Sequence, residues 1–282
     1  MQPSTSEFFF LDTAAGKRLC LLRKNQALSD SRAVIIFIQA FGEEMNRSRR
    51  MATLQAQQLI QLGFAVVIMD LCGTGDSEGE LSKTTWQTWK LDLQYLCAWI
   101  RERTNSPICL LGLRLGALLA IDFSDNHHFP VHQIVLWQPV FDGEQYFSEF
   151  SRTHLMTNIL NVHNEEKAKE EKTYSLKNSV DQTIEISGYE ISPTFKQSLI
   201  SIKLEQFEKI SAKLTWMEVD RHPSATLSKR RQHYLHVLRA IAPQFDFVKC
   251  QGEQFWNTQE ISVCNQLIEV TSTIFHHACR PK

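Results

Sequence analysis

The chain has 282 residues, 43% of them hydrophobic and 22% charged, which describes a globular protein with ample core-forming material in one large α/β domain or two small ones. Its formal net charge of −1 supplies no electrostatic footprint for nucleic acid or an anionic membrane. Seven cysteines, odd in number and without a CxxC pair, argue against a disulfide framework or a structural zinc site and for a reducing compartment.

The opening MQPSTSEFFFLD has no basic n-region and only a short apolar run, so no signal peptide is expected. EFFFLD (7–12) and KRLCLLRK (17–24) flank Ala-Ala-Gly and predict an antiparallel hairpin. AVIIFIQAF (33–41) is a continuous apolar run, as in a strand buried on both faces of a parallel sheet. A helix follows over roughly 46–62, then the strand 63–71, a glycine-rich loop, a helix near 85–103 and the strand 107–112. The longest apolar stretch, ICLLGLRLGALLAIDF at 108–123, is broken by Arg114 and too short to span a bilayer. QIVLWQP (133–139) is the next strand. Residues 143–212 then break the rhythm with the charge run NEEKAKEEK, a β-like VDQTIEISGYEI and two helical stretches. This block reads as an insertion, and its charge run as a solvated helix face. The βα pattern resumes with KLTWMEVD (213–220), a helix near 226–241, QFDFVK (244–249) and a final helix near 258–277. Such alternation implies a parallel sheet covered on both faces by right-handed crossovers. The expected division is a core of 1–142 with 213–282, and a cap of 143–212.

At the centre of the chain, Gly112-Leu113-Arg114-Leu115-Gly116 lies between two apolar runs, the outline of a strand, a sharp turn and a helix. In order along the chain, FGEEMNRSRRM (41–51), DLCGTGDSEG (70–79), GLRLG (112–116) and LWQPV (136–140) resemble the α/β-hydrolase superfamily over essentially the whole length. More narrowly, FGEEMNRSRRM, GLRLGALLA, LWQPVFDGEQY, GYEISP (188–193) and GEQFW (252–256) look like the exosortase A system-associated hydrolases of the second type. The resemblance implies a mostly parallel central sheet with helices on both faces and an inserted cap. It also implies a bacterial setting among genes for exopolysaccharide production and protein sorting.

Ester-cleaving members of this fold place a serine on the elbow, an oxyanion hole beside it, and an acid and then a histidine later in the chain. Here the elbow position is Arg114, a permanently protonated group that only donates hydrogen bonds and cannot attack a carbonyl. The acid position after KLTWMEV is Asp220, with His222 two residues on. The histidine position, in CQGEQFWNTQ, holds Glu253 and Gln254. Cys72 has no visible base to activate it and reads as a structural thiol. Ser77 and Ser48 read as turn or cap residues. HExxH and paired metal-ligand spacings are absent, so no metal or other cofactor is expected, and His233, His236, His276 and His277 read as helix decoration.

A guanidinium at a helix start needs a partner, because a buried unpaired charge is costly. Two arrangements remain open. In one, Arg114 is plugged by an acid of the surrounding loops: Glu43, Glu44, Asp220 or Glu253. In the other, Arg114 and the N–H groups of the helix start hold an anion such as a carboxylate, phosphate or sulfate. Arg47, ahead of Arg49 and Arg50, is a second contact for an acidic ligand, and the N–H groups of Gly42 and Leu115 are remnants of an oxyanion hole. Phe41, Trp137, Tyr189, Phe255 and Trp256 read as core and cap packing ahead of sugar platforms. Two functions follow. One is an enzyme without the usual serine, with Arg114 as clamp and Asp220 or His222 as acid or base. The other is a non-catalytic relative that binds a small acidic, acyl or saccharide ligand, or a pathway partner, through Arg114. The expected location is the bacterial cytoplasm.

Overall fold

A computed structural model describes residues 5–124, 129–161, 182–222, 224 and 226–279, the side chains of 153–161 excepted. The N-terminal hairpin forms as expected: β1 (Thr5–Thr13) runs antiparallel to β2 (Gly16–Lys24), in register from Thr5↔Lys24 to Thr13↔Gly16. Every residue of β3 (Val34–Ile38) is buried, and its side chains alternate between two separate cores. Val34, Ile36 and Ile38 join one; Ile35 and Phe37 join the other, as a strand's period of two demands.

Strands β4 (Ala65–Met69), β5 (Ile108–Leu113), β6 (Val131–Trp137), β9 (Lys213–Asp220) and β10 (Phe245–Gln251) complete an eight-stranded main sheet, in the order β1-β2-β4-β3-β5-β6-β9-β10. Pairings from β4 through β10 are parallel; the hairpin adds its antiparallel edge through β2 and β4. Helices α1 (Glu43–Gln61) and α7 (Asn265–Ala278) cover one face through Met51, Ala56, Leu59, Leu267 and Phe275. On the other face lie α2 (Trp86–Arg101), α3 (Leu115–Ser124) and α6 (Lys229–Ile241), the last contributing Leu238. Full burial of side chains of this size contributes about 1.5–3 kcal/mol each, so the two cores dominate the stability of the sheet.

Between β6 and β9 the chain forms α4 (Gly143–Asn161), a separate two-stranded hairpin of β7 (Ile184–Ile186) and β8 (Tyr189–Ile191), and α5 (Pro193–Ile200). The β-like VDQTIEISGYEI is thus two short strands, because Ser187 (φ 52°) and Gly188 (φ 81°) turn the chain in the left-handed region. The charge run NEEKAKEEK lies outside the described residues.

Two of the boundaries that differ from expectation are the starts of α1 and α7. Helix α1 starts at Glu43, ahead of 46: Gly42 (φ 63°) sets the entry, and Glu43 and Glu44 favour the positive end of the helix dipole. Helix α7 starts at Asn265 instead of near 258, because the Thr258 hydroxyl is engaged with the Glu260 carbonyl (2.8 Å) and the Ser262 hydroxyl (3.1 Å) in a non-helical loop. Among the described residues, no helix is long and apolar enough to cross a membrane.

Candidate functional site

The parallel strands end together, so the residues that follow β5, β6, β9 and β10 meet at one edge of the sheet, the usual ligand edge of an open α/β sheet. Strand β5 leads straight into Arg114, whose φ of 54° is in the left-handed region, a conformation that costs a non-glycine residue about 1–3 kcal/mol. The surroundings hold it there. Arg114 N–H donates to the Trp137 carbonyl (3.0 Å), and its own carbonyl accepts from Ala117 (3.1 Å) and Val140 (3.2 Å). The flanking glycines allow the tight approach: a Cβ at Gly116 would lie 2.3 Å from the Gln39 carbonyl oxygen, and one at Gly112 2.6 Å from Ala117 Cα. The elbow expected from the sequence is therefore present, with a guanidinium at its apex.

That guanidinium is paired. Arg114 Nε donates to Glu44 Oε1 at 2.9 Å, and the Tyr146 hydroxyl donates to Glu44 Oε2 at 3.3 Å. Of the four acids open at the sequence level, Glu44 is the partner; starting α1 early is what puts it in the first helical turn beside the elbow. Burial holds the Glu44 carboxyl above its ordinary range, against the pull of Arg114 and Tyr146. Burial also works against the Arg114 charge, but Glu44 and Tyr146 more than offset it and keep the guanidinium above its ordinary value. The Trp256 ring lies 5.7 Å from the guanidinium carbon.

The other three acids go elsewhere. Glu43 accepts from Asn46 Nδ2 at 3.2 Å. Glu253 pairs with Arg221, whose Nε lies 2.7 Å from Glu253 Oε2. Asp220 Oδ1 accepts the backbone N–H of His222 (2.8 Å), a turn-capping use of the carboxylate that engages the histidine main chain. Arg114, Glu43, Glu44 and Arg47 line a cleft of about 530 Å³ together with Gln138, Tyr146, Glu149, Phe150 and Trp256. Asp220, His222 and Glu253 line a neighbouring cleft of about 360 Å³; Gln254 and Asn257 border both. So the structure gathers Glu44, Arg47 and Arg114, and separates them from the acid–histidine pair. Gly42 caps α1, and Leu115 opens α3 beside the same elbow. Trp137 and Phe255 are core residues: the Trp137 indole donates to the Thr271 hydroxyl at 2.8 Å and meets the Phe255 ring edge-on. Cys72 is buried and accepts from the Thr84 hydroxyl.

Sequence reasoning did not anticipate Gln138, Tyr146, Glu149 or Phe150, nor a buried pair behind the elbow. Glu218, inside β9, meets Arg231 Nε at 3.2 Å and accepts from the Trp216 indole (2.9 Å) and Gln138 Nε2 (3.3 Å); burial holds its carboxyl above the usual range. Gln138 takes a positive φ of 43° and accepts from the Val219 N–H at 2.7 Å. A charged residue within the apolar KLTWMEV, and a glutamine ahead of Pro139 at a strand end, were the available signals. Arg114 and Arg231 line a second, smaller cavity of about 190 Å³ with Tyr146 and Glu149. Among the described residues, no group of three or more His, Cys, Asp or Glu is placed to hold a metal ion.

The chain is similar in fold to Est1E from Butyrivibrio proteoclasticus with ferulic acid bound, at 13% identity and a TM-score of 0.68 over 96% of this chain and 98% of that one. An esterase from Pyrococcus furiosus is similar at 14% identity and a TM-score of 0.64, over 98% and 91%. The mouse α/β hydrolase domain-containing protein 10 is similar at 16% identity and 0.58, over 96% and 99%. No curated protein matches the chain. A family model described as serine aminopeptidase, S33, matches residues 29–185, more than half of the chain. That span includes the elbow and stops before the loops of Asp220 and Glu253. With an eight-stranded, mostly parallel sheet and that match, the chain belongs to the serine aminopeptidase S33 family of the α/β-hydrolase superfamily.

Proposed function

We propose that the chain is an α/β-hydrolase-fold protein without serine-dependent hydrolysis, which binds a small ligand bearing an acidic group in the cleft at Arg114. One observation carries this reading: the elbow residue is a guanidinium held by Glu44 at 2.9 Å, where the fold's nucleophile belongs. A donor-only cation cannot form an acyl-enzyme. Among the described residues that line the cleft there is no imidazole to act as base. Asp220 and His222, the acid and base of the catalytic alternative, line the adjoining cleft.

Binding uses what remains. Arg114 spends one N–H edge on Glu44 and lies with Arg47 on the cleft wall, while Gln138, Gln254 and Asn257 add neutral polar groups. An acidic group sits against the two guanidiniums of this wall. Glu43, Glu44 and Glu149 on the same wall disfavour multiply charged anions and favour one carboxylate on a hydroxylated body such as a sugar acid. The described parts of the 143–212 block, α4 and the β7–β8 hairpin, serve as the cap here, with Phe150 and Ser187 on the cleft wall. The resemblance to exosortase-associated hydrolases supports a role in bacterial exopolysaccharide metabolism, in the cytoplasm.

The test has two arms. A fluorophosphonate probe leaves the protein unlabelled, and aryl esters turn over no faster than with Arg114→Ala; robust labelling overturns the reading. Glucuronate raises the thermal midpoint of the native protein and glucose does not, through mass action on the folded state, and Arg114→Ala abolishes the difference. Equal responses to the two sugars would leave Arg114 as a structural plug alone.

A further inference from the structure

Away from the cleft, two thiols face each other across the sheet and the C-terminal helix. Cys109 is fully buried in β5, five residues and about 16 Å of strand before Arg114, between Ile35 of β3 and Gln133 of β6. Cys279 closes α7 and is 6% exposed. Their sulfurs are 3.7 Å apart, and all seven cysteines are free thiols. Side chains from the bend before β3 and from β6 clasp the end of α7 at this point. Arg32 Nε donates to the Cys279 carbonyl (2.9 Å), Arg32 Nη2 donates to the His276 carbonyl (2.9 Å), and Arg32 Nη1 lies 2.8 Å from His276 Nδ1. From β6, His132 Nε2 lies 3.0 Å from the Ala278 carbonyl. The Arg32 guanidinium thus lies at a helix C-terminus, where positive charge is favoured.

We propose that Cys279 and Cys109 are an oxidant-sensitive pair: a hydroperoxide oxidises Cys279, and Cys109 resolves the product to a disulfide that ties α7 to the strand carrying the elbow. The Cys279 thiolate attacks a peroxide oxygen, so that an S–O bond forms, the O–O bond breaks, and the departing oxygen takes a proton from water. Sulfur is oxidised to a sulfenic acid and the hydroperoxide is reduced to water or an alcohol. Cys109 then gives up its proton and attacks the Cys279 sulfur. The S–S bond forms, the S–O bond breaks, and the hydroxide leaves with that proton as water. The two sulfurs close by about 1.7 Å to reach bonding distance, a movement at a helix end and not within the sheet.

The surroundings make the pair selective. The hydrogen bond it shares with Cys109 lowers the Cys279 thiol to about 7 against its burial, with His132 and Arg32 helping. The same hydrogen bond, followed by burial, raises Cys109, so it resists peroxide as the other buried thiols do and enters only as the resolving thiol, through its place 3.7 Å from the Cys279 sulfur. Burial pushes Cys20, Cys97 and Cys250 up to about 12, so those thiols stay protonated and slow to react at neutral pH.

The experiment treats the folded, full-length protein with hydrogen peroxide, alkylates it, and maps its peptides without reduction. The expected result is the loss of two of the seven thiols and a single linked peptide joining Cys109 to Cys279, reversed by dithiothreitol. Cys109→Ala leaves a dimedone-reactive sulfenic acid on Cys279 and no cross-link, whereas Cys279→Ala leaves its remaining thiols untouched. Retention of all seven thiols in the native protein, or a cross-link that joins a different pair, overturns the proposal. The map of the unaltered chain decides this alone if a variant fails to fold.

Discussion

Two arginine–carboxylate pairs of this chain have opposite characters. Arg18 and Asp92 are 0% and 1% exposed, joined at 2.8 Å. The other Arg18 nitrogens donate to the carbonyls of Lys17, Glu78 and Ala15, and the second Asp92 oxygen accepts from the Cys72 N–H at 2.8 Å. Every guanidinium nitrogen and both carboxylate oxygens are engaged, and the pair pins the 70–79 loop to the hairpin and α2. Arg114 and Glu44 are 15% and 21% exposed, share one contact through Nε and border the larger cleft together, while Arg114 also borders the smaller cavity. A closed pair is scaffold, while an open one retains capacity for a further contact.

The difference can be broken from either end. Arg18→Ala leaves a buried carboxylate without its partner and is expected to cost about 3–5 kcal/mol, read from urea denaturation. A loss below about 1 kcal/mol would show that water reaches that pair after all. Arg114→Ala is expected to cost less, about 1–3 kcal/mol at neutral pH, since Glu44 keeps the Tyr146 hydroxyl and a cleft that water can enter. Its cost also depends on pH. The folded Glu44 carboxyl lies above its unfolded value of 4.5, so between the two values the folded chain holds a proton that the unfolded chain has released. Glu44 therefore contributes fully below 4.5, and its contribution is lost as pH rises through the folded value. Removing Arg114 takes away the main group lowering that carboxyl, so the variant loses stability more steeply on the way to neutrality than the native chain. Urea midpoints at a series of pH values check this; parallel curves would mean that Glu44 does not feel Arg114. The smallest effect belongs to the exposed Arg221–Glu253 pair, 67% and 42% exposed. Glu253→Gln is expected to change stability by less than about 1 kcal/mol, with any change fading in salt.

The fold was largely legible because buried parallel strands are written as uninterrupted apolar runs. The stretches around 34–38, 108–113 and 213–220 announce themselves in the chain, as do the helices between them. Arg114 was equally visible, since the glycines at 112 and 116 mark a turn whatever lies between them. Its partner was not. Glu43 and Glu44 are adjacent in sequence and differ only in which side of the first turn of α1 they occupy, which depends on where Gly42 starts the helix. Tyr146 and Glu149 come from α4, whose place over the sheet edge is set by tertiary contacts and not by local pattern. The loop 220–222 does lie at the sheet edge, but its carboxylate turns back on the His222 main chain, a detail that neighbouring residue types do not reveal.

The bend at 112–116 owes its shape to its frame: two glycines that admit neighbouring backbone, and carbonyl and amide contacts from β6 and the loop behind it. None of those contacts uses the side chain at the apex. Architecture and reactivity at this corner are thus separable, and natural variation or an engineer can exchange the apex group while the scaffold stays intact. By the same separation, Arg114→Ser changes the group at the apex and none of the contacts that shape the bend.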